Sequence, residues 1–265
     1  MLIKLINRLI KIITLSIILF AMKKIYLFLL CAIVLIASAC NQTPVNRITK
    51  KSKKRQPINY ANYVIEIITY RIKKGVSESE YRRLDSIVQQ RYTQKQPGFI
   101  SNESGKDQKG NWLVVLAWDN AAHADADQKS YTTNPLYKNV QQIIDTATID
   151  RKRFFVKDDH SSSLKDRKPY VIELFTFKEK PQVQRDTFEK RDLQVEEDYI
   201  SRQNGYITRR IGTADNGKRL MMIFWQTTAD ADAGMKEFLK EQSVADYNKM
   251  IDWKSVEMKR FEAVE

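Results

Sequence analysis

Cysteine is almost absent: Cys31 and Cys40 are the only two in 265 residues. Nothing after residue 40 can form a disulfide or a thiolate centre, so whatever folds there is held by packing alone. Histidine is as scarce, with His123 and His160 only, which leaves little for a histidine-rich metal site or a Ser/His/Asp relay. Eight glycines and six prolines are scattered, and no glycine-rich phosphate loop follows a strand. Apolar runs of membrane length are confined to residues 1–39.

An excess of one charge is missing from the part that folds. The formal charge is +13, but eleven of the 45 basic residues precede residue 60, where there is no acidic one. The remainder carries 34 basic against 32 acidic residues, a balance of +2, and a nucleic-acid partner loses its main support. The basic residues that remain upstream sit in two settings. Residues 1–39 hold two apolar tracts, the second running from Met22 through Lys23 and Lys24 to a small-residue ending, ASAC. That is the pattern of an export signal closing on a lipid-accepting cysteine, Cys40, with translation starting at Met22; a membrane helix at the N-terminus is the alternative. Residues 40–60 then read as a lipid anchor and basic tether. The expected localisation is the bacterial cell envelope, with the membrane contacted through lipid on Cys40.

Beyond residue 60 the chain repeats itself. YVIEIITY from Tyr63 and YVIELFTF from Tyr170 are offset by 107 residues, and the offset holds without a gap to the end. Gly98 falls on Gly205, Gly105 on Gly212, Trp118 on Trp225 and Arg153-Phe154 on Arg260-Phe261. Two modules, 61–158 and 169–265, joined by a linker over 159–168, follow from this. Within a module the periods predict a strand over 64–70, an amphipathic helix over 78–95, and two hairpin-linked strands over 99–104 and 112–118. A second helical region over 121–144, broken near Pro135, precedes a closing strand over 148–156. The order β-α-β-β-α-β is ferredoxin-like, so the expected class is α+β. One face of each four-stranded sheet would lie bare unless the two sheets packed together as an intrachain α/β barrel, which would make the chain a pseudo-dimer and a monomer.

The module order, the strand ending in Trp (LVVLAW, LMMIFW) and the Gly-aromatic opening of the second strand (PGFIS, NGYIT) together resemble the antibiotic-biosynthesis-monooxygenase-like modules of the dimeric α/β-barrel superfamily. The expected function is an envelope-anchored module that binds a small apolar or aromatic ligand or serves a structural role; the alternative, which the resemblance implies, is a cofactor-independent oxygenase of aromatic substrates. The family's haem-degrading branch implies an Asn on the first strand and a His about ten residues after the Trp. Here the tenth residues after Trp118 and Trp225 are Gln128 and Met235, so no cofactor is expected.

Candidate site residues follow from polar side chains in apolar strands. Glu66 and its repeat Glu173 lie mid-strand, and in the ferredoxin-like order they neighbour Arg153 and Arg260. The reading is an ion pair, structural or anchoring a ligand, with the arginine lowering the carboxylate pKa. Tyr70, Trp118 and Trp225 would line a pocket for a small apolar or aromatic ligand. The stretch AWDNAAHADADQ places His123, Asp125 and Asp127 at alternate positions. Its repeat, FWQTTADADAGM, favours a helix start over a metal site, and leaves His123 as a copy-specific candidate. A protein-interaction module is a third functional class consistent with the chain.

Overall fold

The computed structural model describes residues 63–131, 133–159, 164 and 170–264. The expected signal, Cys40 and tether lie outside the described residues. Among those described, no helix is long and apolar enough to cross a membrane.

The first module runs β1 (Val64–Ile72), α1 (Glu78–Arg91), β2 (Phe99–Lys106), β3 (Asn111–Trp118), α2 (Ala121–Ser130), α3 (Pro135–Ile143) and β4 (Ile144–Asp159). The second repeats it with β5 (Val171–Glu179), α4 (Arg185–Asp198), β6 (Tyr206–Thr213), β7 (Arg219–Trp225), α5 (Thr228–Phe238), α6 (Ala245–Met250) and β8 (Ile251–Ala263). Helix starts follow local chemistry. Ser77, Asn120, Asn134 and Thr227 each accept a backbone N–H of the first turn they cap.

All pairings are antiparallel, and each module has the ferredoxin-like order β4-β1-β3-β2 or β8-β5-β7-β6. The expected pair of sheets packed face to face as an intrachain α/β barrel is corrected by the strand pairing. Edge strands of the two modules hydrogen-bond to each other, β2 to β8 and β4 to β6, so the protein has one eight-stranded antiparallel sheet whose strand order closes on itself. The physical reason is that a bare edge strand offers unpaired N–H and C=O groups, and the nearest edge is the other module's. The joins explain two repeated glycines. A Cβ on Gly105 would lie 2.9 Å from the Phe261 Cβ, and one on Gly212 would lie 3.0 Å from the Phe155 carbonyl oxygen.

Strand alternation sorts the apolar residues into three cores. One is shared by both modules and contains Tyr63, Ile65, Leu113, Phe154, Ile172, Met222, Phe224 and Phe261. The other two lie between each half-sheet and its own helices, around Trp112, Trp118 and Tyr81 in the first module and Trp225, Phe188 and Tyr247 in the second. Inside the shared core, Arg210 donates from Nη1 and Nη2 to the two carboxylate oxygens of Glu103, both at 2.8 Å, with both residues buried. Position 103 and position 210 are the same site in the two copies.

Candidate functional site

Glu66 shares the helix-facing side of β1 with Val64, Ile68 and Tyr70. Its register opposes Arg153, whose Nη2 donates to Oε1 at 2.9 Å while Nη1 lies 2.8 Å from Asp125. In the second module, Arg260 bridges Glu173 and Asp232 in the same way, and the Trp225 indole N–H donates to Glu173 Oε2 at 3.0 Å. Burial pushes the Glu173 carboxyl above the usual range in spite of Arg260 and Trp225. The lowered pKa expected from the arginine alone is thus corrected: desolvation outweighs the ion pair. In the first module the corresponding bond is not made, and Glu66 Oε2 and Trp118 Nε1 are buried without a hydrogen bond.

His123, Asp125 and Asp127 of AWDNAAHADADQ go three ways. His123 lies in the first turn of α2, its N–H on the Asn120 side chain at 2.9 Å and its Nδ1 2.6 Å from Asp119. It packs over Gly98, which has a left-handed φ of 75° that leaves no room for a Cβ. Asp125 meets Arg153, and Asp127 is buried against Tyr137, whose hydroxyl donates to it at 3.2 Å. Among the described residues no cluster of His, Cys, Asp and Glu could hold a metal ion.

Asp127 leads to the principal cavity of the first module, a cleft of about 310 Å³ between the half-sheet and its helices. Helix α1 contributes Asp85, Val88 and Gln89; β1 contributes Ile68 and Tyr70; β4 contributes Ile149 and Arg151; α2 and α3 contribute Asp127, Gln128, Tyr131 and Tyr137. Burial raises both aspartates to about 6, with Gln89 partly offsetting the shift at Asp85 and Tyr137 that at Asp127. The same burial keeps Tyr70, Tyr131 and Tyr137 protonated. Tyr70 and Tyr81 share a hydroxyl–hydroxyl bond, and the Tyr137 hydroxyl also meets Thr93 at 3.0 Å. No histidine lines this cleft, so the axial ligand implied by the haem-degrading branch is absent from it.

The equivalent cavity of the second module is much smaller, about 60 Å³, with Phe177, Phe238 and Trp225 among its walls. A separate cleft of about 380 Å³ is lined by Phe188, Asp192 and Arg219. Gly234 stands where the first copy has Asp127, and a Cβ there would meet the Trp225 ring at 2.7 Å. Asp192, the repeat of Asp85, is neutralised by buried Arg209 at 3.0 Å and by the Tyr247 hydroxyl at 2.7 Å. Asn102 and Val140 hold those two places in the first copy, so Asp85 keeps neither partner.

Of the residues expected from sequence, the structure therefore joins Glu66 to Arg153 and Glu173 to Arg260, adds Trp225 to the second pair, and places Tyr70 in the open cleft. Trp118 packs edge-on against Phe99, and His123 is outside the cleft. Sequence reasoning missed Asp85, Gln89, Asp127, Tyr131, Tyr137 and Arg151 as a set. The signal available was a difference between copies: Asp85 recurs as Asp192 while its partners do not recur.

No protein-family model matches the sequence, and no curated protein matches it either. In fold the chain is similar to solved structures described as monooxygenases and as a chlorite dismutase. A candidate monooxygenase from Fusobacterium nucleatum superposes with a TM-score of 0.52 at 12% identity, over 77% of this chain and 92% of that one. One from Lactobacillus acidophilus gives 0.52 at 11%, over 77% and 93%. A candidate chlorite dismutase gives 0.56 at 10%, over 77% and 95%. At these identities the likeness defines the fold, and the chemistry rests on the cleft itself.

Proposed function

We propose that the first module binds a small hydroxylated aromatic molecule in its helix–sheet cleft and oxidises it with dioxygen without a cofactor. The observation that carries this reading is the asymmetry of the duplication: at equivalent positions one copy has a cleft of about 310 Å³ with two carboxyls raised to about 6, whereas the other has about 60 Å³ there and pairs its repeated carboxylate, Asp192, with Arg209 in a separate cleft. A carboxylate with a pKa near 6 is ionised at neutral pH and basic enough to take a phenolic proton. The resulting phenolate delocalises charge onto a ring carbon, which bonds to dioxygen. The hydroperoxide so formed loses water, leaving a ring carbonyl, and the two hydrogens removed from the substrate leave in that water. Apolar walls such as Ile68, Val114 and Leu116 keep the carbanion from bulk water. The second module serves as scaffold.

The test is oxygen uptake and ligand binding with naphthols and dihydroxynaphthalenes. Uptake that is lost in both Asp85→Asn and Asp127→Asn, with binding retained, supports the oxygenase. Binding without uptake in the wild type would make the protein a carrier of aromatic ligands, and no binding would remove the cleft from consideration. The cleft would work at the cell envelope, with the chain held by lipid on Cys40, as the ASAC sequence suggests.

A further inference from the structure

Arg151 is a guanidinium that the second copy of the module does without. In the second module, Glu173 is satisfied by Arg260 and the Trp225 indole, and the repeat of Arg151 is Met258, half-exposed and making no ion pair. In the first module, Arg153 already supplies Glu66 at 2.9 Å. Arg151 Nη1 stands 3.5 Å from the same carboxylate oxygen, a buried ion pair that is not a hydrogen bond. Arg151 lines the cleft, where its charge is felt by Asp127 and Tyr131. A buried guanidinium N–H held by an ion pair but by no hydrogen bond is under-satisfied, and the group that answers it best is a carboxylate, planar and charged.

We infer that Arg151 is the anchor for a carboxylate on the ligand, so that the cleft takes an aromatic hydroxy acid in preference to a neutral phenol. The inference rests on the cleft being the ligand site, as proposed above. The hydroxyl of such a ligand is directed to the aspartates and its acid group to β4. The second copy, with Met at this position, offers no such anchor.

The experiment compares 1-hydroxy-2-naphthoate with 1-naphthol by fluorescence quenching of the full chain at fixed ionic strength. Wild type is expected to bind the acid at least tenfold more tightly. Arg151→Met, which installs the second copy's residue, is expected to erase that preference; Arg151→Lys, which keeps the charge and loses the planar fork, is expected to retain part of it. Equal binding of both probes by wild type, or a preference that survives Arg151→Met, overturns the anchor while leaving the cleft reading intact. Failure of both probes to bind overturns the cleft reading and the anchor with it. Should Arg151→Met not fold, the wild-type preference and its reduction in Arg151→Lys decide the matter, and a full preference in the lysine variant counts against the anchor.

Discussion

The buried pair Glu103–Arg210 is the most exposed point of the structural account to a simple perturbation. Arg210 forks onto both oxygens of Glu103 at 2.8 Å inside the shared core, with its guanidinium also over the Phe224 ring at 5.3 Å. At an effective dielectric of about 20, two charges about 4 Å apart attract by roughly 4 kcal/mol, most of which offsets the cost of taking both from water. Removing one partner loses the attraction and keeps the cost. Glu103→Ala and Arg210→Ala should each lower stability by about 3–5 kcal/mol, a large part of the roughly 5–15 kcal/mol typical of a domain. Replacing both residues by methionine removes attraction and cost together, and should restore stability to within about 1 kcal/mol of wild type or above it. Urea unfolding followed by tryptophan fluorescence measures all four proteins, with the shift in midpoint at constant slope as the readout. If a single truncation costs under about 1 kcal/mol, or the double variant costs as much as the two singles added, the pair is not buried and coupled as described.

Two further predictions concern titration and the envelope anchor. Asp127 has its pKa raised by burial from 3.8 to about 6, so the folded state binds its proton more tightly than the unfolded chain does. Its contribution to stability is therefore full below pH 3.8 and lost as pH rises through about 6. Asp127→Asn should flatten that part of the stability profile and make the protein more stable than wild type at pH 7–8, as thermal unfolding across pH would show; an unchanged profile would contradict the burial. For the anchor, mass spectrometry of the mature protein is expected to find Cys40 as a lipidated N-terminal residue, and an unmodified Cys40 or retention of residues 1–39 would refute it.

The fold was legible where side-chain period reports backbone state. Alternation in YVIEIITY and YVIELFTF, the helical spacing of Tyr81, Leu84, Val88 and Tyr92, and the unbroken offset of 107 residues are enough to order the elements and pair them within a module. The seams β2–β8 and β4–β6 were not legible, because edge pairing is made by backbone groups that every residue carries; only the repeated Gly105 and Gly212 mark the close approach. Of the site, the Glu–Arg pairs could be read because strand order brings Glu66 to Arg153 and Glu173 to Arg260. The cleft could not. Its volume depends on which of two equivalent positions holds Trp225 against Gly234, or Asp127 against Tyr137, and on Asp85 lacking the arginine that Asp192 has. Such features belong to three-dimensional neighbours that no periodicity lists.

The contact between Glu103 and Arg210 has a meaning for ancestry and assembly. A residue can touch its own repeat only on the pseudo-twofold axis relating the two copies, and on that axis a dimer of identical chains must set like against like. Two first modules would bury facing carboxylates and two second modules facing guanidinium groups, while the fused chain alone offers one of each. The joined gene thus carries its own rule of mating: each half rejects itself and accepts the other, and the copy with Asp127 is always built beside the copy with Gly234.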